Sequence, residues 1–242
     1  MKIVWITTNL LGISLLKTAM NISKIDCLIT LSDKSKMKIY DKIPLGELEK
    51  LPISIIRLVE PNDITKILDI IKPDLIFMIG WRRKIDKELL DKYTIIGFHP
   101  TLLPYGRGQA PIINTILYDI KESGLTMFYM NEGLDSGDII GQKSFLIDKD
   151  ETSNSLYLKL IDAGKELIKI YLPKLIENNA PRIKQDEKNV FNFISPKSNE
   201  ILPEDNIDTM YKKIRAFSKP YNGAYIMKDG KKLIFWEAEL IE

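Results

Sequence analysis

Few residues of this 242-residue chain could exchange protons near neutral pH. His99 is the only histidine, and imidazole is the side chain that ionises closest to pH 7. Asp135 and Asp138 lie in the glycine-rich turn 131–138, where aspartate is also common for turn geometry alone. A single histidine and a single cysteine, Cys27, exclude an intramolecular disulfide framework and any metal site built from several such residues. Acid–base chemistry therefore falls on His99 or on a carboxyl group.

Three loops that carry polar and glycine residues each follow an apolar, strand-like run. They cover residues 80–85, 97–108 and 131–138. In open parallel sheets ligands bind outside the carboxyl ends of the strands, near the point where strand order reverses. His99 leaves its strand directly before Pro100, so we expect its ring to face such a cleft. A purely structural loop histidine is the alternative.

The elements that would position these loops alternate between strands and helices along the first 180 residues. This pattern, with buried and non-alternating strand runs, predicts an α/β fold: a Rossmann-like, mostly parallel twisted sheet with helices on both faces. The predicted strands are 2–7, 25–31, 53–59, 74–79, 94–98, 125–130 and 139–147, and the predicted helices are 9–19, 62–71, 87–92, 110–120 and 152–176.

The character of the chain changes near Pro181. We predict a main domain over residues 1–179 and a small C-terminal appendage over 180–242, with a helix around 207–217 and a β-hairpin over 225–238 that turns at Asp229-Gly230. About 60 residues could hardly fold alone. We therefore expect the appendage to pack on the main domain or on a second subunit, and its apolar hairpin residues suggest a homodimer.

The charge balance is nearly neutral. There are 35 Lys and Arg residues against 33 Asp and Glu, a formal net charge of +2, so no strong field points to nucleic acid or to a membrane as partner. Polar residues at 7–9 interrupt the apolar N-terminus, and no small-residue cleavage site follows. We expect a cytoplasmic protein that acts on small molecules.

Two motifs at a fixed spacing narrow the function. The segment 98–104, Phe-His-Pro-Thr-Leu-Leu-Pro, is followed by Arg107-Gly108 and Ala110-Pro111, and Asp135-Ser136-Gly137 begins thirty-six residues after His99. Together they resemble the signature of the folate-dependent formyltransferases, which include methionyl-tRNA, glycinamide-ribonucleotide and sugar-nucleotide N-formyltransferases. The tail segment 214–224 is similar to one typical of sugar N-formyltransferases.

The resemblance implies N10-formyltetrahydrofolate as formyl donor, no metal, and His99 and Asp135 as the catalytic pair. It also implies a cofactor site formed by Trp81, Arg82, Arg83, Ile85, Asn131, Gly133 and Asp138, and substrate contacts from Arg107, Arg215 and Tyr221. Asn9 is a further candidate substrate contact, because it lies at the carboxyl end of the first strand and near a helix N-terminus, where an anionic or sugar substrate could bind. Simpler interpretations remain for several of them. The arginines of the 81–85 loop could be solvated surface, Asn9 a plain helix cap, and Arg215 with Tyr221 a means of docking the tail.

One position departs from the family pattern. Members usually have Asn two residues before the histidine, whereas this chain has Gly97. We expect the missing amide to leave a small void or a water beside the formyl site. By the same resemblance, the Leu103-Pro104 peptide bond is predicted to be cis.

The resulting hypothesis is a sugar-nucleotide N-formyltransferase. Its acceptor would be the amine of a nucleotide-linked amino-dideoxysugar, such as dTDP-4-amino-4,6-dideoxyhexose, made for bacterial surface polysaccharide such as lipopolysaccharide O-antigen. A methionyl-tRNA formyltransferase is the alternative, although tRNA binding draws on concentrated basic surface. A catalytically silent module that binds folate or nucleotide sugar is a third possibility, which Gly97 keeps open.

Overall fold

The computed structural model describes residues 1–241. Its strands are β1 (Ile3–Thr7), β2 (Cys27–Leu31), β3 (Ser54–Leu58), β4 (Leu75–Ile79), β5 (Thr94–His99), β6 (Tyr105–Gly108), β7 (Glu122–Tyr129), β8 (Ile139–Leu146), β9 (Phe191–Phe193), β10 (Ala224–Lys228) and β11 (Lys231–Phe235). Seven of them form one central sheet in the order β3-β2-β1-β4-β5-β7-β8. The first five of that order are parallel, and β7 and β8 each run antiparallel to the preceding strand. The predicted mostly parallel, Rossmann-like sheet is confirmed.

Helices cover both faces of this sheet. They are α1 (Leu10–Met20), α2 (Leu45–Glu49), α3 (Ile64–Ile71), α4 (Lys87–Lys92), α5 (Pro111–Leu117), α6 (Ser153–Ile176) and α7 (Ile207–Ala216). The helices α1, α5 and α6 pack on one face and α3 and α4 on the other, so the sheet lies between two apolar clusters. Within the described residues no helix is both long and apolar enough to cross a membrane.

Burial on both faces explains why the central strands lack alternation. Every residue of β1 and of β4 is buried. Trp5 of β1 and Phe77 of β4 are neighbours in register, and their rings stack at 4.6 Å on the α1 side. Val4 and Ile76, one position earlier on each strand, pack in the cluster on the opposite face. A strand whose two faces are both covered needs apolar residues at every position.

The strand order reverses between β1 and β4, so that their carboxyl ends border a crevice. Thr8, just after β1, donates a hydrogen bond from its hydroxyl to the carbonyl oxygen of Gly80, just after β4, at 3.0 Å. This is the place where open parallel sheets bind ligands. The end of β5, which carries His99, is the next one along the same edge.

The C-terminal segment adds two small sheets. The predicted helix and hairpin are present as α7 and β10–β11, and the hairpin turns at Asp229 and Gly230 with φ of +50° and +69°. β11 ends at Phe235, before the predicted limit at residue 238. The pairing of β6 with β9 was not predicted, because β9 is a three-residue strand inside a polar stretch. The division after residue 179 and the homodimer stay predictions.

Candidate active site

His99 ends β5 and lies at the centre of the candidate site, with 5% of its surface exposed. Its Nε2 is 2.7 Å from the carbonyl oxygen of Gly106. A carbonyl oxygen only accepts hydrogen bonds, so we assign a proton to Nε2. The turn that brings Gly106 back over the ring contains the predicted cis Leu103-Pro104 bond, which is confirmed. Nδ1 is therefore the ring atom that remains for chemistry.

Asp135 faces that atom from the loop between β7 and β8. Its Oδ2 is 3.5 Å from Nδ1 of His99, somewhat beyond a hydrogen bond. The same oxygen accepts a hydrogen bond of 3.0 Å from the backbone N–H of Gly108. Asp135 has a left-handed backbone, with φ of +49°, a conformation that aspartate tolerates better than most residues. The structure thus brings the two predicted catalytic residues together.

A buried glutamine that was not identified from the sequence supports the backbone of the loop that carries Asp135. The Nε2 of Gln185 donates to the carbonyl oxygens of Asp135 and Gly137, both at 2.8 Å. Its Oε1 accepts from the Nε and Nη2 of Arg107 at 3.0 and 2.8 Å. Gln185 belongs to the polar stretch after Pro181, and nothing in its local pattern signals a contact 50 residues away in the chain.

This network engages Arg107 within the protein, and its contact with substrate stays a prediction. Arg107 is 6% exposed. Besides Gln185, its guanidinium binds both carboxylate oxygens of Glu187, at 3.2 and 2.8 Å, and these hydrogen bonds hold the pKa of Glu187 below its ordinary value. All three of its nitrogens are engaged, so the side chain holds β6 to the segment before β9.

The expectation of a void at Gly97 is wrong. Gly97 pairs with Phe128 across β5 and β7. A Cβ on Gly97 would lie 2.9 Å from Cε1 of Phe128 and 3.1 Å from Cγ of Met130. The space that an asparagine side chain would need is therefore filled by apolar atoms. The sequence of β5 alone could not show this, because the filling residues belong to another strand.

The 131–138 loop contains the predicted cofactor residues Asn131, Gly133 and Asp138. The side-chain oxygen of Asn131 accepts from Gly133 N–H at 3.1 Å and from the Ser136 hydroxyl at 3.0 Å, which closes the loop. Gly133 has no room for a side chain, since a Cβ there would lie 2.1 Å from Ser136 Oγ. Asp138 is half-buried, with Arg182 Nη1 at 3.6 Å. The structure places all three beside Asp135.

The second predicted cofactor loop, 81–85, follows β4. Trp81 and Ile85 are partly buried against the α3–α4 face, and Arg83 is exposed. Arg82 extends the other way, and its Nη2 donates to Oδ1 of Asp41 at 3.1 Å. The loop therefore carries exposed cations above a partly apolar base.

Asn9, a second predicted substrate residue, is also engaged within the protein. Its Oδ1 accepts from the N–H of Gly12 at 2.9 Å and so caps α1, while its Nδ2 donates to Asp41 at 3.0 Å. The hydroxyl of Tyr157 also donates to Asp41, at 2.7 Å. Burial and this carboxylate raise the pKa of Tyr157. Both polar ends of Asn9 are engaged, so the simpler interpretation as a helix cap describes it.

The two predicted substrate residues of the appendage differ in position. Arg215 is 9% exposed, and its Nη1 donates to the carbonyl oxygen of Glu151 at 2.9 Å, so it docks α7 onto the start of α6. Its predicted substrate role stays a prediction. Tyr221 lies near Asp41, and its ring is 5.9 Å from that of Tyr40. Burial is the larger cause, and the charge of Asp41 the smaller one, of the raised pKa of Tyr221. Of the two, only Tyr221 faces the crevice side.

The arrangement can move a proton between a bound amine and a leaving nitrogen. An imidazole nitrogen without a fixed partner faces a carboxylate that accepts a hydrogen bond from the backbone N–H of Gly108, and the backbone carbonyl of the same Asp135 accepts one from Gln185. Such a pair can take up a proton and stabilise the resulting imidazolium. In the described part of the chain no three His, Cys, Asp or Glu residues cluster as metal ligands.

Comparison with known proteins agrees with this geometry. A family profile described as formyl transferase matches residues 4–172. The chain is 36% identical over 170 residues to a methionyl-tRNA formyltransferase of Wolbachia pipientis subsp. Culex pipiens (strain wPip), an alignment that covers 69% of this chain and 55% of that protein. The chain therefore spans little more than half the length of that relative.

Solved structures share the fold over nearly the whole chain. A 4-N formyltransferase from Francisella tularensis has a TM-score of 0.78 and 26% identity, with 99% of this chain and 98% of that chain covered. An N-formyltransferase from Helicobacter canadensis, in complex with folinic acid and dTDP-3-aminofucose, has a TM-score of 0.74 and covers 97% of this chain and 86% of that one. At 20% identity, the second likeness concerns the fold alone.

Proposed function

The chain belongs to the formyl transferase family, and on that premise we propose that it moves a formyl group from N10-formyltetrahydrofolate to the primary amine of a nucleotide-linked amino-dideoxysugar. The observation that supports formyl transfer most directly is the pair His99 and Asp135, with Nδ1 and Oδ2 3.5 Å apart at the strand ends. A dTDP-linked 4-amino-4,6-dideoxyhexose is the proposed acceptor.

His99 carries the proton traffic in this proposal. The acceptor amine forms a bond to the formyl carbon and loses a proton, while the bond from that carbon to N10 of the donor breaks and N10 gains a proton. Nδ1 takes the first proton and returns it to the leaving nitrogen, so the reaction needs no external acid or base. Asp135 stabilises the imidazolium between these two events, and Gly106 keeps the ring oriented through Nε2.

The two loops on either side of His99 fit a folate. Bound there, the donor supplies a formyl group on a nitrogen that leaves readily. Trp81 and Ile85 offer partly buried apolar surface for a pterin, and Arg83 offers an exposed cation for the carboxylates of its glutamate tail. The 131–138 loop, closed by Asn131, would cover the opposite side.

Tyr221 supports the acceptor class. It brings an aromatic ring from the appendage to the crevice, next to Tyr40, and the guanidinium of Arg82 lies 5.5 Å from the Tyr40 ring. Aromatic rings with a cation beside them suit a nucleotide base and its diphosphate. A net charge of +2 supports a small acceptor over a long polyanion. We further propose action inside the cell, as a homodimer, in the synthesis of surface polysaccharide.

The test is a transfer assay with defined acceptors. The protein is incubated with N10-formyltetrahydrofolate and a panel of nucleotide-linked amino sugars, and mass spectrometry reports the gain of one formyl group. His99→Asn serves as the matched control. Formylation of one panel member by the wild type and not by the variant supports the proposal. Binding of a panel sugar without any turnover would instead identify a silent binding module.

A methionyl-tRNA formyltransferase is the second candidate, because the Wolbachia relative carries that name at 36% identity. Formylation of methionyl-tRNA, with an affinity for tRNA that falls steeply as salt rises, would favour it. Turnover of an amino sugar with no salt-dependent tRNA binding would exclude it.

A further inference from the structure

Gly97 and His99 lie on the same face of β5, because alternate residues of a strand share a face. Across the sheet Gly97 pairs with Phe128 and His99 with Thr126. The ring edge of Phe128 lies directly over Gly97, since a Cβ on that glycine would be 2.9 Å from Cε1 and 3.0 Å from Cζ. The wall of the site next to the reacting imidazole is therefore aromatic.

Phe128 also contacts both loops that hold the catalytic pair. It is 3% exposed and packs with Leu103, in the turn that places Gly106 over His99, and with Ile139 at the start of β8. A Cβ on Gly137, two residues after Asp135, would lie 3.5 Å from Cδ2 of the ring. The ring thus packs between the turn after His99 and the loop of Asp135.

The side-chain hydrogen-bond donors described next on this face already have acceptors within the protein. The Thr126 hydroxyl donates to the carbonyl oxygen of Thr101 at 2.6 Å and accepts from Leu103 N–H and Gln142 Nε2. The Nε2 proton of His99 goes to Gly106. A carbonyl that is attacked by an amine gains negative charge on its oxygen and needs a donor. Of the groups named here, Nδ1 of His99 is the one that can become a donor, after it has taken the proton of the amine.

Resting on the proposed formyl transfer, we propose that Phe128 is a positioning residue that works with Gly97 as a matched pair. Together they keep water and side-chain donors away from the β5 wall, so that His99 both removes the proton of the amine and hydrogen-bonds the formyl oxygen with that same proton. One ionisation then controls both events. The pair also sets the volume available to the formyl group.

The test replaces the pair and asks whether an added donor changes the rate. Gly97→Asn combined with Phe128→Ala supplies an amide and the room for it. Gly97→Leu combined with Phe128→Ala is the control, because leucine has nearly the shape of asparagine and no donor. The readouts are kcat and KM for formyl transfer and the Tm of each variant.

We expect the asparagine pair to exceed the leucine pair in kcat by at least about tenfold, which is less than the 10²–10³ that one preorganised donor to such an oxygen is worth. KM for the formyl donor should be similar in the two. Gly97→Asn alone should have a lower Tm than Gly97→Asn with Phe128→Ala, because its Cβ collides with the ring. Equal kcat in the two pairs, or Gly97→Asn alone with an unchanged Tm and a raised kcat, would overturn the inference.

Two further measurements keep the result decisive. If the alanine pairs do not fold, Gly97→Ser and Gly97→Ala are compared in a Phe128→Leu background, where the hydroxyl is the added donor and the same ranking is expected. If the wild type transfers no formyl group to any amine, the proposed function fails by itself. The inference about His99 fails with it, whereas an active wild type combined with equal kcat in the asparagine and leucine pairs rejects the inference alone.

Discussion

Replacing His99 by asparagine should stop turnover while acceptor binding survives. The change removes Nδ1, which faces Oδ2 of Asp135 at 3.5 Å, and the Nε2 proton that Gly106 accepts at 2.7 Å. Asparagine is polar and smaller than histidine, so it fits the buried site at the end of β5. Its amide can donate a hydrogen bond, but it cannot exchange a proton near neutral pH.

The size of the effect follows from the role of the ring. A positioned general acid–base group contributes about 10²–10⁴ in rate, which corresponds to about 2.7–5.4 kcal/mol of activation free energy. The lost hydrogen bond to Gly106 lowers the free energy of unfolding by about 1 kcal/mol. Affinity for the acceptor should change by less than about threefold, or 0.7 kcal/mol, because base and phosphates supply most of its contacts in the proposed site.

The measurement pairs kcat from a formyl-transfer assay with Kd from calorimetry on the same preparations. His99→Gln is the matched control, since its longer amide can still donate toward Gly106 without exchanging a proton, and it should lose rate equally. Asp135→Asn should also lose rate, and the two losses should not add, because the residues act as one unit. If His99→Asn keeps more than about a tenth of the wild-type kcat, proton transfer by His99 is refuted. A loss of binding as large as the loss of rate would make His99 a substrate-positioning residue.

Three further changes test the groups around the site. Gln185→Ala removes the support under Asp135, and we expect steady-state kcat to fall about tenfold or more; an unchanged kcat would show that the loop needs no such support. Tyr157→Phe removes a hydroxyl that donates to buried Asp41, and urea denaturation should show a loss of about 1–3 kcal/mol. Lys213 of α7 donates a hydrogen bond to the carboxylate of Asp205, and this bond lowers the pKa of Asp205 from its ordinary value of 3.8. The pair therefore stabilises the fold above pH 3.8, and its effect is lost as the pH falls through the lower, folded-state pKa of Asp205. Asp205→Asn should therefore have a lower Tm than the wild type at pH 7, and the difference should shrink as pH falls below 3.8; a constant difference would contradict the assignment.

The sequence permits prediction where one local signal is sufficient. Strands such as β1 and β4 are continuous apolar runs, because both faces of the sheet are covered. His99 was placed at a strand end from the strand pattern, and the resemblance of the two motifs to the formyltransferase signature implied its pairing with Asp135, which the structure places 3.5 Å away. The helix caps of α1 and α6, Asn9 and Thr152, also follow from local chemistry.

Prediction failed where a residue's role depends on a distant partner. The void expected at Gly97 does not exist, because Phe128 from another strand fills it. Arg107 has the charge of a phosphate ligand, but its partner Gln185 comes from a stretch with no helix or strand pattern. Asp41 lies in an irregular loop, and its burial depends on Tyr157 from α6. None of these contacts produces a periodic pattern of residue types in the sequence.

The segment beyond residue 180 therefore does more than pack on the main domain. It contributes to the candidate site and so influences the proposed reaction. Asp135 is held in a left-handed conformation by one hydrogen bond from Gly108 and one from Gln185. Gln185 is in turn fixed by Arg107, so the strand after His99 and the loop of Asp135 are joined through a residue of the C-terminal segment. The separation of 3.5 Å between the catalytic pair depends on that junction. Because Tyr221 belongs to the same segment, the part of the chain proposed to contact the acceptor also sets the geometry of the proton transfer.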